Sequence, residues 1–180
     1  MELSPELKEK YLSHMEYCIS LAKRAIPDTT RGYVQRPFIG RPYVGAIVLD
    51  KDGKIIGEGY KSFLGGTSLL QHAERMALDS FTIVGQAATL ISTLQPCMKK
   101  SRGQIFDSCS TLIIKKGIRT VVFGARDDFS FDYNSTVNYL RSHGVKLIEL
   151  KEIGPKIREE LMDVEIFPRR KSCPLETLIE

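Results

Sequence analysis

Apolar residues recur at steps of three and four through the first part of the chain. Leu7, Tyr11, Met15, Cys18, Ala22 and Ile26 fall on one stripe, which predicts an amphipathic helix over 5–26. Ser4 can cap it and Pro5 suits its first turn, and Pro27 ends the run. Residues 28–42, with Pro, Gly and Arg, read as a loop. The pattern then changes. Tyr43 to Leu49 is an unbroken apolar run and Lys54 to Tyr60 a second strand, with Asp50-Lys-Asp-Gly53 between them as a hairpin signal.

Beyond a glycine-rich turn at Gly65-Gly66, strands and helices alternate. A helix is predicted from Gln71 to about Phe81, a strand from Thr89 to Leu94, and a helix from Cys109 to Lys116 stopped by Gly117. A strand follows at Thr120 to Gly124, a helix at 134–142 stopped by Gly144, a strand at Val145 to Leu150 and a short helix over 155–163. A hairpin followed by this alternation implies an α/β fold, a mixed five-stranded sheet with helices on both faces. A single domain over 1–166 with a C-terminal tail at 167–180 is expected. The basic cluster Pro168-Arg-Arg-Lys171 reads as part of that solvated tail.

Composition narrows the function classes. No apolar run approaches the ~20 residues of a membrane span, and Met1-Glu-Leu-Ser-Pro-Glu lacks the basic start and apolar stretch of a signal peptide. A cytoplasmic, reducing location follows, in which four cysteines suggest metal or catalytic use over disulfides. The net charge of +4, from 26 basic against 22 acidic residues, suits an anionic small molecule and falls short of a nucleic-acid footprint. No Gly-x-Gly-x-x-Gly follows a strand, so nothing points to a dinucleotide domain.

The candidate chemistry sits where strands hand over to helices, at the C-terminal ends of neighbouring strands, where open α/β sheets build their sites. His72-Ala-Glu74 opens the second long helix, Pro96-Cys97 follows the third strand, and Cys109 opens the next helix. One His and two Cys make a three-ligand zinc set with a fourth position open. Helix starts help hold the thiolates deprotonated. Glu74 need not bind the metal: beside the open position it can take a proton from a zinc-bound water and pass it on. Of the other cysteines, Cys18 lies on the buried stripe of the first helix and Cys173 in the tail.

The order His-x-Glu, Pro-Cys, Cys is that of zinc deaminases. With Pro42-Tyr-Val-Gly-Ala-Ile-Val48, Gly57-Glu-Gly-Tyr60, Thr93-Leu-Gln-Pro-Cys97 and Gly117-Ile-Arg-Thr-Val-Val-Phe-Gly124, the chain resembles the cytidine/deoxycytidylate deaminase superfamily over roughly residues 8–150. It is most similar to the riboflavin-biosynthesis pyrimidine deaminases. Asn134-Ser135, Leu140 and Gly144-Val145 resemble the fungal branch of that group. The resemblance implies a three-layer α/β/α fold, catalytic zinc and hydrolytic loss of an exocyclic amine from a small pyrimidine. It also implies a homodimer or tetramer. The substrate implied is a phosphorylated diaminopyrimidine of riboflavin synthesis. At this length the reductase domain often fused to bacterial relatives is not expected.

Three departures stand out. Residues 98–108 separate the two cysteines, where the commonest signature has two residues. Gln95 stands where that group usually carries Glu, and Arg41 where bacterial members carry a substrate-touching Asn. Substrate-binding candidates are therefore Arg41, Ala73, Gln95, Lys99, Lys100 and Arg102. Ala73, with backbone near Cys97, would hold the base edge, as the resemblance implies. Lys99, Lys100 and Arg102 can meet a phosphate or form a solvated loop face. His14 reads as surface or core, His143 as part of a helix C-cap region, and Asp127-Asp128 as a turn after a strand. Two rival readings remain: a deaminase of bases in free nucleotides, RNA or single-stranded DNA, thinly supported without tryptophan, and a non-catalytic binding protein with structural zinc.

Overall fold

The first helix, α1 (Pro5–Lys23), forms where the apolar stripe predicts it. The structure is a computed structural model that describes residues 3–26, 41–64, 69–80, 87–98, 107–127 and 133–163. The Ser4 hydroxyl accepts from the Leu7 backbone N–H at 3.3 Å, the predicted cap. Tyr11, Met15, Cys18 and Ala22 are buried, while Leu7 at the start of the stripe is 37% exposed. The helix stops at Lys23, short of the predicted Ile26. Residues Arg24 to Ile26 instead donate to carbonyls three residues back, a tightening common at helix ends.

The strands are β1 (Gly45–Asp50), β2 (Ile55–Tyr60), β3 (Ser62–Phe63), β4 (Leu70–Gln71), β5 (Ala87–Leu94), β6 (Thr120–Ala125) and β7 (Lys146–Glu149). Five of them form one sheet in the order β2-β1-β5-β6-β7. β1 is antiparallel to β2 and β5, and β5, β6 and β7 run parallel. This is the expected mixed sheet. The Asp50 carboxylate accepts from the backbone N–H groups of Asp52 and Lys54 at 2.9 and 2.8 Å, which closes the β1–β2 hairpin. The pairing of β3 with β4 was not predicted, because two-residue strands are too short to carry a period.

The remaining helices are α2 (Ala73–Asp79), α3 (Cys109–Lys115), α4 (Tyr133–Ser142) and α5 (Gly154–Ile157). The last is preceded by a 3-10 turn and followed by a wider helical turn at Arg158–Met162. Gly117 and Gly144 end α3 and α4 with φ of 75° and 76°, a conformation that favours glycine. Beside Gly144, His143 Nδ1 lies 2.8 Å from the Tyr139 carbonyl, as its place in a C-cap region leads one to expect. α1 packs on β1, β5 and β6, and α5 on β6; α2 packs on β2, β1 and β5, and α4 on β7.

Side-chain alternation shows that these are opposite faces. A Cβ at Gly45 would run into the Cys18 carbonyl of α1, whereas one at Gly59 would run into α2. The fold is thus a three-layer α/β/α arrangement.

Glycine makes the α2 contact possible. A Cβ on Gly59 would stand 2.5 Å from the Ala73 carbonyl oxygen and 2.7 Å from the Ala77 nitrogen, and Gly57 faces the Ala77 carbonyl in the same way. The first turn of α2 therefore lies flat on the end of β2. One sequence expectation needs correcting: the strands behind the two site helices are not adjacent, because β1 lies between β2 and β5. The antiparallel return of β1 still places its start, the end of β2 and the end of β5 at one sheet edge.

Gly59→Ala is expected to lower stability by about 1–3 kcal/mol through overpacking, because backbone and not a flexible side chain must yield. Urea denaturation of the purified protein checks this, and an unchanged midpoint contradicts it.

Candidate active site

At that sheet edge the predicted metal group assembles. His72 is the residue before α2, Cys97 lies three residues past β5, and Cys109 opens α3. Their ligand atoms lie within 4.8 Å of one another. His72 Nδ1 is 3.5 Å from Cys97 Sγ and 3.4 Å from Cys109 Sγ. Tetrahedral zinc with Zn–S of about 2.3 Å and Zn–N of about 2.0–2.1 Å requires N···S separations of about 3.6 Å. The donor set therefore fits zinc both in chemistry and in size. Thiolate and imidazole are the ligands this ion takes in three-ligand sites that keep a fourth position open.

Backbone and caps hold the group. The Cys109 backbone N–H points at Cys97 Sγ (3.4 Å), and both the Ser110 backbone N–H and its hydroxyl donate to the Cys97 carbonyl at 3.1 and 3.0 Å. Ser108 caps α3 through the Thr111 N–H.

The electrostatics are those of crowded donors. The hydrogen bond from Cys109 holds the Cys97 thiol down to about 4, and the same contact together with burial holds Cys109 well above its usual value. Contact with Cys97 raises the His72 imidazole against the effect of burial.

Glu74, 3% exposed, adjoins this group. Burial drives its carboxyl from 4.5 up to about 7, with the neighbouring His72 opposing. A carboxyl poised near neutrality is suited to take and return protons.

The sequence model of the family "Cytidine and deoxycytidylate deaminase zinc-binding region" matches residues 8–125. The chain belongs to that family.

Among its relatives is the "Riboflavin biosynthesis protein RibD" of Actinobacillus pleuropneumoniae, 34% identical over 143 residues, which cover 78% of this chain and 34% of that one. A solved relative is the diaminohydroxyphosphoribosylaminopyrimidine deaminase/5-amino-6-(5-phosphoribosylamino)uracil reductase of Thermotoga maritima. It is 34% identical with a TM-score of 0.63, the match covering 86% of this chain and 40% of that one. The fold also matches dCMP deaminase of the cyanophage S-TIM5, at 21% identity and TM-score 0.56, over 83% of this chain and all of that one. The chain spans about a third of the length of the curated relatives it matches.

The substrate candidates divide. Ala73 is fully buried at the start of α2. Gln95 is 4% exposed; its backbone N–H donates to the Ala125 carbonyl, and its Oε1 has no hydrogen-bond partner among the described residues. Arg41 stands exposed just ahead of β1, joined to Pro42 by a cis bond. Lys99, Lys100 and Arg102 lie outside the described residues, as do Gly65, Gly66, Asp128 and the proposed tail.

Sequence reasoning passed over Lys61. Its half-buried ammonium donates to the Pro42 carbonyl at 3.1 Å. Burial lowers its pKa while Asp127 and Glu74 pull it back, so both carboxylates act on Lys61. A lysine one residue past an alternating strand carries no motif. Only the sheet edge brings it here.

The raised Glu74 pKa has a direct consequence for the metal-free protein. Between pH 4.5 and about 7 the folded state keeps this proton while the unfolded state loses it, so stability falls as pH rises through that window. The full loss is about 3 kcal/mol. Metal-free Glu74→Gln should therefore exceed the metal-free parent by up to that amount at pH 8 and converge with it near pH 4.5. Urea titrations of both proteins at the two pH values test this, and equal stability at pH 8 refutes it.

Proposed function

We propose that this chain is a zinc-dependent aminohydrolase that removes an exocyclic amine from a small, phosphorylated pyrimidine, with His72, Cys97 and Cys109 as metal ligands and Glu74 as the proton shuttle. The observation that carries the reading is a buried carboxyl, Glu74, adjoining a His/Cys/Cys group of zinc dimensions. A purely structural zinc site has no use for such an acid. The favoured substrate is a diaminopyrimidine intermediate of riboflavin synthesis, in keeping with the names of the relatives in the preceding section.

Zinc bound at such a site supplies a water made acidic enough to attack at neutral pH. The reaction exchanges a C–NH₂ group and water for C=O and ammonia. Glu74 accepts one proton of the attacking water at its carboxylate and delivers it to the ring nitrogen, then takes the remaining proton from the newly added hydroxyl and passes it to the departing amine, which leaves as ammonia while C=O forms. Its burial keeps bulk water from competing for these protons. Ala73 and the backbone around Cys97 hold the base edge, and the free Oε1 of Gln95 offers a buried acceptor. Lys61 presents a cation to a substrate oxygen, and Arg41 with the basic residues Lys99, Lys100 and Arg102 are the candidates for binding the phosphate.

The deaminase unit is residues 1–166, followed by a tail at 167–180. The free thiols of Cys18, Cys97 and Cys109 accord with a reducing, cytoplasmic setting, and no helix among the described residues is long and apolar enough to cross a membrane. A homodimer or tetramer belongs to the same reading, carried by the family resemblance.

Ammonia release from the riboflavin-pathway diaminopyrimidine phosphate is expected to exceed that from dCMP, cytidine or cytosine. Activity confined to the latter three rejects the substrate, and undiminished release by Glu74→Ala rejects the mechanism. Lys61→Met should keep its zinc and lose about 10- to 100-fold in kcat/KM, the worth of one hydrogen bond to a charged group. Steady-state kinetics alongside metal analysis decide this, and an unchanged kcat/KM removes Lys61 from the site.

A further inference from the structure

The eleven residues 98–108 between the two cysteines pose a positioning problem. When two residues separate a pair of thiolates, one short turn fixes both sulfurs. A longer segment costs more entropy to close, and its far end must be held by something other than the chain itself. Part of that work is done from Cys97, whose carbonyl receives both donors of Ser110.

Arg75 supplies a tie of a different kind, because it comes from the helix that begins at His72. Its side chain is 11% exposed, and its guanidinium donates through Nη2 to the Asp107 carbonyl at 2.8 Å, two residues before Cys109. Nη1 faces Asp79 Oδ2 one turn along α2 at 3.6 Å, and Asp79 Oδ1 lies 3.7 Å from Lys116 at the end of α3. One planar fork thus meets the stem of the long segment and its own helix with donors in fixed geometry, which a flexible ammonium does not supply.

We propose that Arg75 is the positioning residue of the metal centre: it locks the stem before Cys109 onto α2 and thereby holds Cys109 in ligand distance of His72. The inference rests on the ligand set assigned above and is independent of the substrate.

The test uses the full chain. Zinc transfer to the chromogenic chelator 4-(2-pyridylazo)resorcinol is timed, and the cobalt(II)-substituted protein is recorded in the visible and near-ultraviolet. Arg75→Met is expected to release zinc about 10- to 100-fold faster, the usual effect of removing a group that orients a ligand, with a weakened sulfur-to-cobalt charge-transfer band. Arg75→Lys should fall between it and the parent. Lys115→Met, which cuts only the exposed pair to the Asp107 carboxylate, should match the parent in both readouts.

Parental release and spectrum in Arg75→Met overturn the proposal, as does an equal loss in Lys115→Met. If Arg75→Met fails to fold by circular dichroism, folded Arg75→Lys carries the test alone, and zinc release from it at the parental rate overturns the proposal. A parent protein that binds no zinc would instead show that the ligand set itself is wrong.

Discussion

Two sulfurs, an imidazole and a carboxyl crowded into one largely buried cluster form an arrangement that a cation suits. Each group loses water on burial, and the two thiols cannot both ionise cheaply side by side. The opposite displacements of Cys97 and Cys109 express that conflict. A divalent ion resolves it by accepting both thiolates. The raised Glu74 belongs to the same balance, since burial disfavours its charge too.

The sheet exists to keep this cluster small. β1 returns antiparallel between β2 and β5, so the start of one strand and the ends of two others share an edge. Glycines at 57 and 59 let α2 settle on the backbone of β2, which sets the height of His72 and Glu74. The parallel pairing of β5 with β6 extends past the strands, where the Gln95 N–H donates to the Ala125 carbonyl. That link leads directly into Cys97 on one side and Arg126-Asp127 on the other. Arg126 is itself held at the edge by two hydrogen bonds to Glu149 at 3.0 and 2.8 Å, a forked pair with fixed geometry.

Much of this is written locally. The stripe of α1, the Asp50 hairpin and the glycine stops at 117 and 144 each follow from chemistry within a few residues, and each appears in the structure. The ends of elements were less legible. α1 closes at Lys23 and α2 spans only Ala73–Asp79, because helix ends depend on what the neighbouring layer covers. Leu7 continues the apolar stripe and yet is exposed, for periodicity records which side faces inward and not where the sheet beneath stops.

By itself the sequence determined the fold class and pointed to the candidate site: His72, Cys97 and Cys109 are recognisable because ligand chemistry restricts which side chains can serve, and Glu74 by its place two residues beyond His72. Tertiary structure alone decided which other groups stand beside them. Lys61 and Asp127 lie 66 positions apart, and Asp127 and Glu74 come to act together on Lys61 only through strand order. Arg75 is an ordinary helix arginine until its guanidinium reaches the Asp107 carbonyl. A metal-ligand set recurs as a pattern because the ion demands it, whereas a neighbour's charge or hydrogen bond acts through space and can come from any part of the chain that the sheet edge collects.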